Sequence, residues 1–331
     1  VNASPLEPTA DTGQDLRLLV RAATMYHLEG LTQAEVAARL GLSRPTAGRL
    51  IARARAQGLV RVVIDAPPHL AGSIHTDEER DLETAFGLKE ALIIDQLADG
   101  TQTGDSALGR AGASVLIRRL EPNSTLGFTW GPETVAVADS ITPRSASCRR
   151  VVQMDGSMTS VEYHTGVDHA LSRFAERLGA QPLRLVAPLY ADPDTVKALQ
   201  RDSILSQSFK AAEEADVMVF GVGSVTTSTT LFEGAYIDAA ILDELTGLGA
   251  VGEIGGRFYD KDGVTVESSL VDRTVSVPLE AVRSCPTTML ISGGNHRRES
   301  ILGALRGGLA TTLITDLGTA HWLITQEKGQ R

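Results

Sequence analysis

The chain of 331 residues contains only two cysteines, Cys148 and Cys285, far apart and without CxxC spacing. This leaves neither a disulfide framework nor a zinc site, and both read as isolated small thiols. No apolar run approaches the length of a membrane span. The first residues also lack the charged-then-apolar pattern of a signal peptide, so a cytoplasmic protein without a membrane partner is expected. There is no G-x-S-x-G elbow, no H-E-x-x-H pair, no Walker loop and no GxGxxG fingerprint. Those absences remove the common serine hydrolases, zinc proteases and nucleotide enzymes. No cofactor, no metal site and no catalytic set is expected.

What is present is a 42% hydrophobic, globular composition, long enough for two domains. The net charge of −10 excludes a generic polyanion binder, but the charge is uneven. Residues 14–65 hold eight arginines against four acids, and the acid excess lies entirely in the rest. A small basic head on an acidic body suits a protein whose head alone touches DNA.

The head centres on LTQAEVAARLGLSRPTAGRLIARARAQGLVRVV, residues 31–63. Thr32 with Glu35 forms a capping box, Val36, Ala37 and Leu40 make an apolar stripe, and Gly41 supplies a tight turn. Leu42 plugs the angle between two helices. Ser43 caps the second, and Pro45 sits in its first turn, where a missing N–H costs nothing. Leu50, Ile51 and Ala54 face the core. This spacing predicts a helix-turn-helix with a wing strand at 59–64. Arg44, Pro45, Thr46 and Arg49 are expected near bases, because arginine donates two hydrogen bonds to guanine. Arg39, Arg53, Arg55 and Arg61 are expected at phosphates, and Thr32, Gln33 and Ser43 complete the DNA-facing set. An ordinary helical hairpin with a solvated basic face is the plain alternative. A first helix over 15–29 would bury Leu16, Leu19, Val20, Ala23 and Tyr26. The expected domains are a tail (1–13), the winged head (14–66), a linker (67–74) at the Ala66-Pro67-Pro68 break, and an effector domain (75–328).

From about residue 90, short apolar runs alternate with helical segments. The runs are 91–95, 124–128, 150–154, 183–187, 215–223, 287–292 and 311–315. An acidic helix at 75–86 leads into them. This alternation predicts a mostly parallel, doubly wound α/β sheet, whose ligands bind beyond the carboxyl ends of the strands. Five polar turns fall there. Trp130-Gly131-Pro132-Glu133-Thr134 opens a helix. Asp155-Gly156 follows a strand. Gly221-Val222-Gly223-Ser224 adds hydroxyls with Thr226 and Thr227. Glu253 and Arg257 stand among glycines at 249–260. Gly293-Gly294-Asn295-His296-Arg297 puts a cation at a helix start, which opposes the helix dipole unless an anion lies between. Together they describe a small-molecule crevice better than any one does alone. Asp155, His164, Glu253, His296 and Asp316 are the candidate acids and bases, although a lone loop histidine is more often a hydrogen-bonded bystander.

In motif order the chain resembles the SorC family of bacterial transcriptional regulators over nearly its whole length. The head carries the resemblance, with FTWGPET, GAVGEIGGRFYDKDG and SGGNHRRESILGALRGGLATTLITDLGTAHWL. The resemblance implies an effector domain similar to sugar-phosphate isomerases of the glucosamine-6-phosphate type, without their catalysis. It implies a homotetramer on paired, roughly palindromic operator DNA. It also implies a sugar or sugar-phosphate inducer near the Trp-Gly turn, the Gly-Glu segment and the last glycine turn. On that basis Trp130, Gly131, Glu133, Thr134, Asp155, Gly156, Gly221, Gly223, Ser224, Glu253, Gly293, Gly294 and Arg297 are the expected ligand set.

Two departures matter. Arg297 stands where the family commonly has lysine, so the cation survives but a covalent imine does not. None of the five lysines (89, 197, 210, 261, 328) falls in one of the five polar turns taken as ligand-binding, so the ligand is expected to bind non-covalently. Glu133, after an extra Pro132, stands where the family often has arginine; a carboxylate there opposes phosphate and suits hydroxyls. The expected function is a regulator, in the repressor sense, of a carbohydrate or polyol operon. The rivals are a sugar-phosphate isomerase with an accessory head, and a constitutive architectural DNA binder.

Overall fold

The computed structural model describes residues 10–60, 74–95, 103–159 and 164–329. The chain separates into two compact units, 1–71 and 72–331.

The first unit is three helices: α1 (Ala10–His27), α2 (Gln33–Leu40) and α3 (Arg44–Ala56). The capping box forms in full, with Thr32 Oγ1 accepting from Glu35 N and the Glu35 carboxylate accepting from Thr32 N. Gly41 ends α2 at φ 68°, a left-handed conformation that glycine adopts without penalty. Ser43 Oγ accepts from Thr46 N and starts α3. Val36, Ala37, Ala47, Leu50, Ile51 and Ala54 form the core with Leu19, Ala22, Ala23 and Met25 of α1.

Two expectations for α1 need correction. Leu16, Val20 and Tyr26 are exposed, and the helix buries Ala22 and Met25 instead. The helix also begins at Ala10, inside the expected tail, because no proline stands between Pro8 and Pro45 to stop it. Of the expected wing, Leu59 and Val60 are irregular, while 61–64 and the Pro-Pro break lie outside the described residues.

The second unit runs α4 (Thr76–Phe86), β1 (Glu90–Ile94), α5 (Thr103–Arg119), β2 (Thr125–Phe128), α6 (Pro132–Ser140) and β3 (Arg150–Gln153). There follow α7 (Val167–Leu178), β4 (Gln181–Leu183), α8 (Pro193–Arg201), α9 (Leu205–Glu213), β5 (Val217–Phe220) and β6 (Gly223–Ser224). The chain continues through α10 (Thr230–Glu233), α11 (Ala239–Gly247), β7 (Ala250–Ile254), β8 (Arg257–Asp260) and α12 (Leu279–Ser284). It closes with β9 (Thr287–Ile291), α13 (Arg298–Arg306), β10 (Thr312–Asp316) and α14 (Leu317–Lys328).

Seven strands form one parallel sheet in the order β1-β10-β9-β5-β2-β3-β4. Side chains alternate between its two faces, as strand geometry requires. Val217 and Val219 join the core under α5, α6 and α7, while Met218 and Phe220 join the core under α12, α13 and α14. Both faces are therefore covered, and β5 is buried at every residue.

A second, three-stranded antiparallel sheet, β6-β7-β8, was not expected. It is built by a hairpin whose two loop residues, Gly255 and Gly256, sit at φ 55° and 79°. Two successive positive φ values make a primed turn that matches strand twist, which glycine pairs favour. The apolar run at 183–187 is also not a strand. β4 lies earlier, at 181–183, on the sheet edge where Pro182 is tolerated, while Leu185 and Ala187 pack with Val196, Phe209 and Val275.

Helices α5 and α6 pack most closely at Gly109, where an added Cβ would meet the Ala136 backbone at 2.6 Å. Gly109→Ala should therefore destabilise the second unit by about 1–3 kcal/mol through overpacking. Urea unfolding followed by circular dichroism checks this, and unchanged stability would show that the helices separate freely.

Candidate functional site

The chain leaves β2 towards β3 and leaves β5 towards β9, on opposite sides of the sheet. Adjacent strands β2 and β5 thus flank a switch point, where a crevice must open beyond their carboxyl ends. A crevice lies there, with about 640 Å³ of empty space when its open mouth is included. Its walls are the β2–α6 turn (129–133), Asp155, the β5–β6 turn (221–224), residues 228–231, Glu253 with Gly255 and Gly256, and His296 with Arg297.

Each wall is fixed by local structure. Gly131 caps α6 at φ 153°, ψ 165°, a region essentially restricted to glycine. Trp130 Nε1 donates to Gly156 O at 2.9 Å, and its ring lies against Tyr236 with centroids 5.4 Å apart. Asp155 is 1% exposed and accepts from Trp130 N at 3.3 Å. Glu253 is delivered by β7, which pairs with β6 through Gly223↔Glu253. Its Oε2 accepts from Gly256 N at 2.7 Å across the hairpin turn. A Cβ at Gly223 would fall 2.1 Å from Glu253 Oε1, so only glycine leaves the carboxylate in place. Ser224 continues into a run of hydroxyls, with Thr226 Oγ1 in reach of both Ser224 and Ser228.

Arg297 donates to the Glu133 carboxylate, and the two side chains are 22% and 5% exposed. The cation expected to wait for an anionic ligand is thus paired with the carboxylate expected to oppose one.

Burial pushes the Asp155 carboxyl well above its ordinary range, against the Trp130 N–H that lowers it, and the nearby Glu253 charge raises it further. Burial likewise raises Glu253 to about 7, with the Gly256 N–H and Arg297 acting the other way and Glu133 adding to the rise.

Several expected ligand residues stand outside the lining. Thr134 Oγ1 donates to Gly131 O, and Gly156 N donates to Val275 O. Gly294 N donates to Asp316 Oδ2 at 2.8 Å, while Gly293 is buried. Asp316 itself caps α14 through Thr319 N, which gives it a structural task. His164 is exposed and away from the crevice. Thr129, Gly255, Gly256 and residues 228–231 line the crevice and were not in the expected ligand set; the first three lie inside the quoted motifs, and the hydroxyl run from Ser224 was the signal for 228–231. Among the described residues, no acid, histidine or cysteine cluster could hold a metal ion.

On the first unit, Ser43, Arg44, Pro45 and Arg49 are exposed on α3, with Thr46 half-buried. Arg39 and Arg53, expected at phosphates, pair with Glu29 at 2.9 Å and Asp15 at 2.7 Å. The Thr32 side chain is engaged in its capping box, and Gln33 lies against Gly48 between the two helices.

The family model Sugar-bind, which describes a sugar-binding domain, matches residues 73–325, and a model of the MarR family matches residues 16–69. The sorbitol operon regulator of Klebsiella pneumoniae is 30% identical over 325 residues, covering 95% of this chain and 99% of that protein. The chain belongs to the SorC family. The deoxyribonucleoside regulator of Bacillus subtilis (strain 168) is 30% identical over 315 residues, with 93% and 97% covered. The crystal structure of full-length SorC from K. pneumoniae superposes with a TM-score of 0.70 at 29% identity, covering 94% of this chain and 99% of that one. Like these SorC-family relatives, the protein is a transcriptional regulator with a helix-turn-helix and an α/β effector domain. No helix among the described residues is long and apolar enough to cross a membrane.

The raised carboxyls have a thermodynamic consequence. Glu253 binds its proton more tightly folded than at its ordinary value of 4.5, so its contribution is complete below about 4.5 and is lost as pH rises through about 7. The melting temperature should therefore fall between pH 5 and 8, with a shallower fall in Glu253→Gln; Asp155, shifted the same way, leaves a residual slope. Calorimetry across that range checks this, and identical slopes would mean Glu253 is ionised throughout.

Proposed function

We propose that this chain is a cytoplasmic, homotetrameric repressor of a carbohydrate or polyol operon, whose operator affinity is set by a carbohydrate held non-covalently between β2 and β5. The observation that carries this reading is the crevice itself. Its polar side chains are three carboxyl groups, a run of hydroxyls, His296 and one paired arginine around Trp130. Such a surface accepts hydrogen bonds from hydroxyl groups, while the indole face covers C–H groups. No lysine lines it, which supports reversible binding without an imine.

In the first unit, Arg44 and Arg49 of α3 read base edges in a major groove, with Pro45 and Thr46 beside them. Arg39, Arg53 and Arg55 would meet phosphates, the first two by exchanging their own acids for DNA. Exposed ion pairs are weak enough to be exchanged. Operator and effector binding are then reciprocally linked through two arrangements of the oligomer, with a coupling of about 1–3 kcal/mol.

Fluorescence anisotropy with operator DNA tests this. The effector should shift wild-type operator affinity about 5- to 150-fold, whereas Glu253→Ala should bind operator normally and lose the response. Full induction of that variant would move the effector elsewhere. Borohydride treatment of the liganded protein should give no covalent adduct by mass spectrometry; an adduct would mean an imine-forming lysine.

A further inference from the structure

The Glu133 carboxylate occupies a particular position. It is 5% exposed and pairs with Arg297. A Cβ built on Gly221 would lie 3.0 Å from Glu133 Oε2, and one on Gly131 would lie 3.5 Å from it. The carboxylate thus sits between the β2–α6 turn and the β5–β6 turn, against the cation of the β9–α13 turn. These three elements meet at the spot where the negative end of an anionic ligand would gain most.

Two backbone positions beside it are also closed to an anion. Pro132, at the first position of α6, has no N–H to offer. Gly294 N is committed to Asp316, with Thr319 Oγ1 also in reach at 3.2 Å. The remaining ionisable lining groups are Asp155 and Glu253, both buried acids, and His296. The undescribed stretches 96–102 (QLADGTQ) and 160–163 (SVEY) contain neither lysine nor arginine.

We propose that Glu133 is a resident anion that fills the phosphate position of this crevice, so that the effector is an uncharged polyhydroxyl compound, a free polyol or sugar, and not its phosphate ester. This rests on the crevice being the effector site, as proposed above. A phosphate brought here would have to compete with a buried carboxylate for its arginine and would lie against that carboxylate's charge. A neutral hydroxyl chain needs no such exchange. Its O–H groups donate to the open lone pairs of Asp155 and Glu253, and the Ser224–Ser228 hydroxyls serve as donors or acceptors. Arg297 acts on the ligand only through Glu133, whose position it holds, and is a positioning residue here.

The test uses the full-length protein and isothermal titration at pH 7.5. The probes are ribitol, xylitol, sorbitol, mannitol and glucose, the monophosphate of each, inorganic phosphate, and glucosamine as a cationic control. The expected result is that at least one free compound binds wild type ten or more times tighter than its own phosphate, and that inorganic phosphate does not bind. Glu133→Gln keeps the shape and removes the charge, which releases Arg297. It should gain affinity for inorganic phosphate and for the phosphate esters by tenfold or more, while affinity for the free compound changes much less. If wild type prefers the phosphate esters, the resident-anion inference is overturned and the crevice remains the effector site. Preference for glucosamine over glucose would likewise overturn it, since the acids would then be reading a cation. If no probe binds either wild type or Glu133→Gln, both the inference and the effector-site reading fall. Should Glu133→Gln not fold, the wild-type comparison of free compounds with their phosphates decides alone.

Discussion

Two parallel strands, β2 and β5, lie side by side while their chains depart in opposite directions. That constraint organises the effector unit. It leaves a gap beyond the strand ends that no crossover helix can fill, and it aims five separate turns at the gap. The turns bring polar groups into a place where bulk water is largely excluded. Each carboxylate must then be matched locally, by a backbone N–H for Asp155 and Glu253 and by an arginine for Glu133. The small antiparallel sheet exists in the same service. It holds Glu253 over the gap from one side, and α13 supports it through Tyr259 Oη to Ser300 O and Ser300 Oγ to Val251 O.

The parts of the structure legible in the sequence are those encoded by short spacings. The capping box at Thr32 and Glu35, the left-handed Gly41 and the Ser43 cap are signals across three residues or fewer, and the helix-turn-helix follows from them. The parallel strands were legible because burial on both faces leaves unbroken apolar runs. The buried face of α1 was not, because this small core admits close helix approach through alanines. Ala22, Ala47 and Ala54 are fully buried while the larger Leu16 and Val20 remain outside, so side-chain size is a poor guide to facing.

At the site, the turns were legible as a set but their individual contributions were not. Whether a glycine N–H faces a ligand or is consumed by a neighbour depends on tertiary partners such as Asp316 and Val275, which lie 22 and more than 100 positions away. The hairpin through Gly255 and Gly256 did carry a local signal, a glycine pair between two short alternating runs. It was read as one more polar turn because glycines at strand ends are common in α/β domains. The Glu133–Arg297 pair spans 164 positions; its two members could be noted separately, and only the fold shows that they meet.

The exposed pairs Arg39–Glu29 and Arg53–Asp15 bear on how such a protein finds its target. An arginine that already has an acid neighbour gives up that contact each time it touches a phosphate, so indiscriminate adhesion to the DNA backbone is weakened. Arg44 and Arg49 have no such counterweight among the described ion pairs and, in the proposed role, would keep their full attraction for base edges. On the proposed DNA-reading face, dwell time on random sequence would thereby be shortened relative to dwell time on the operator. In a chromosome crowded with non-cognate sites, that ratio governs how quickly the search ends.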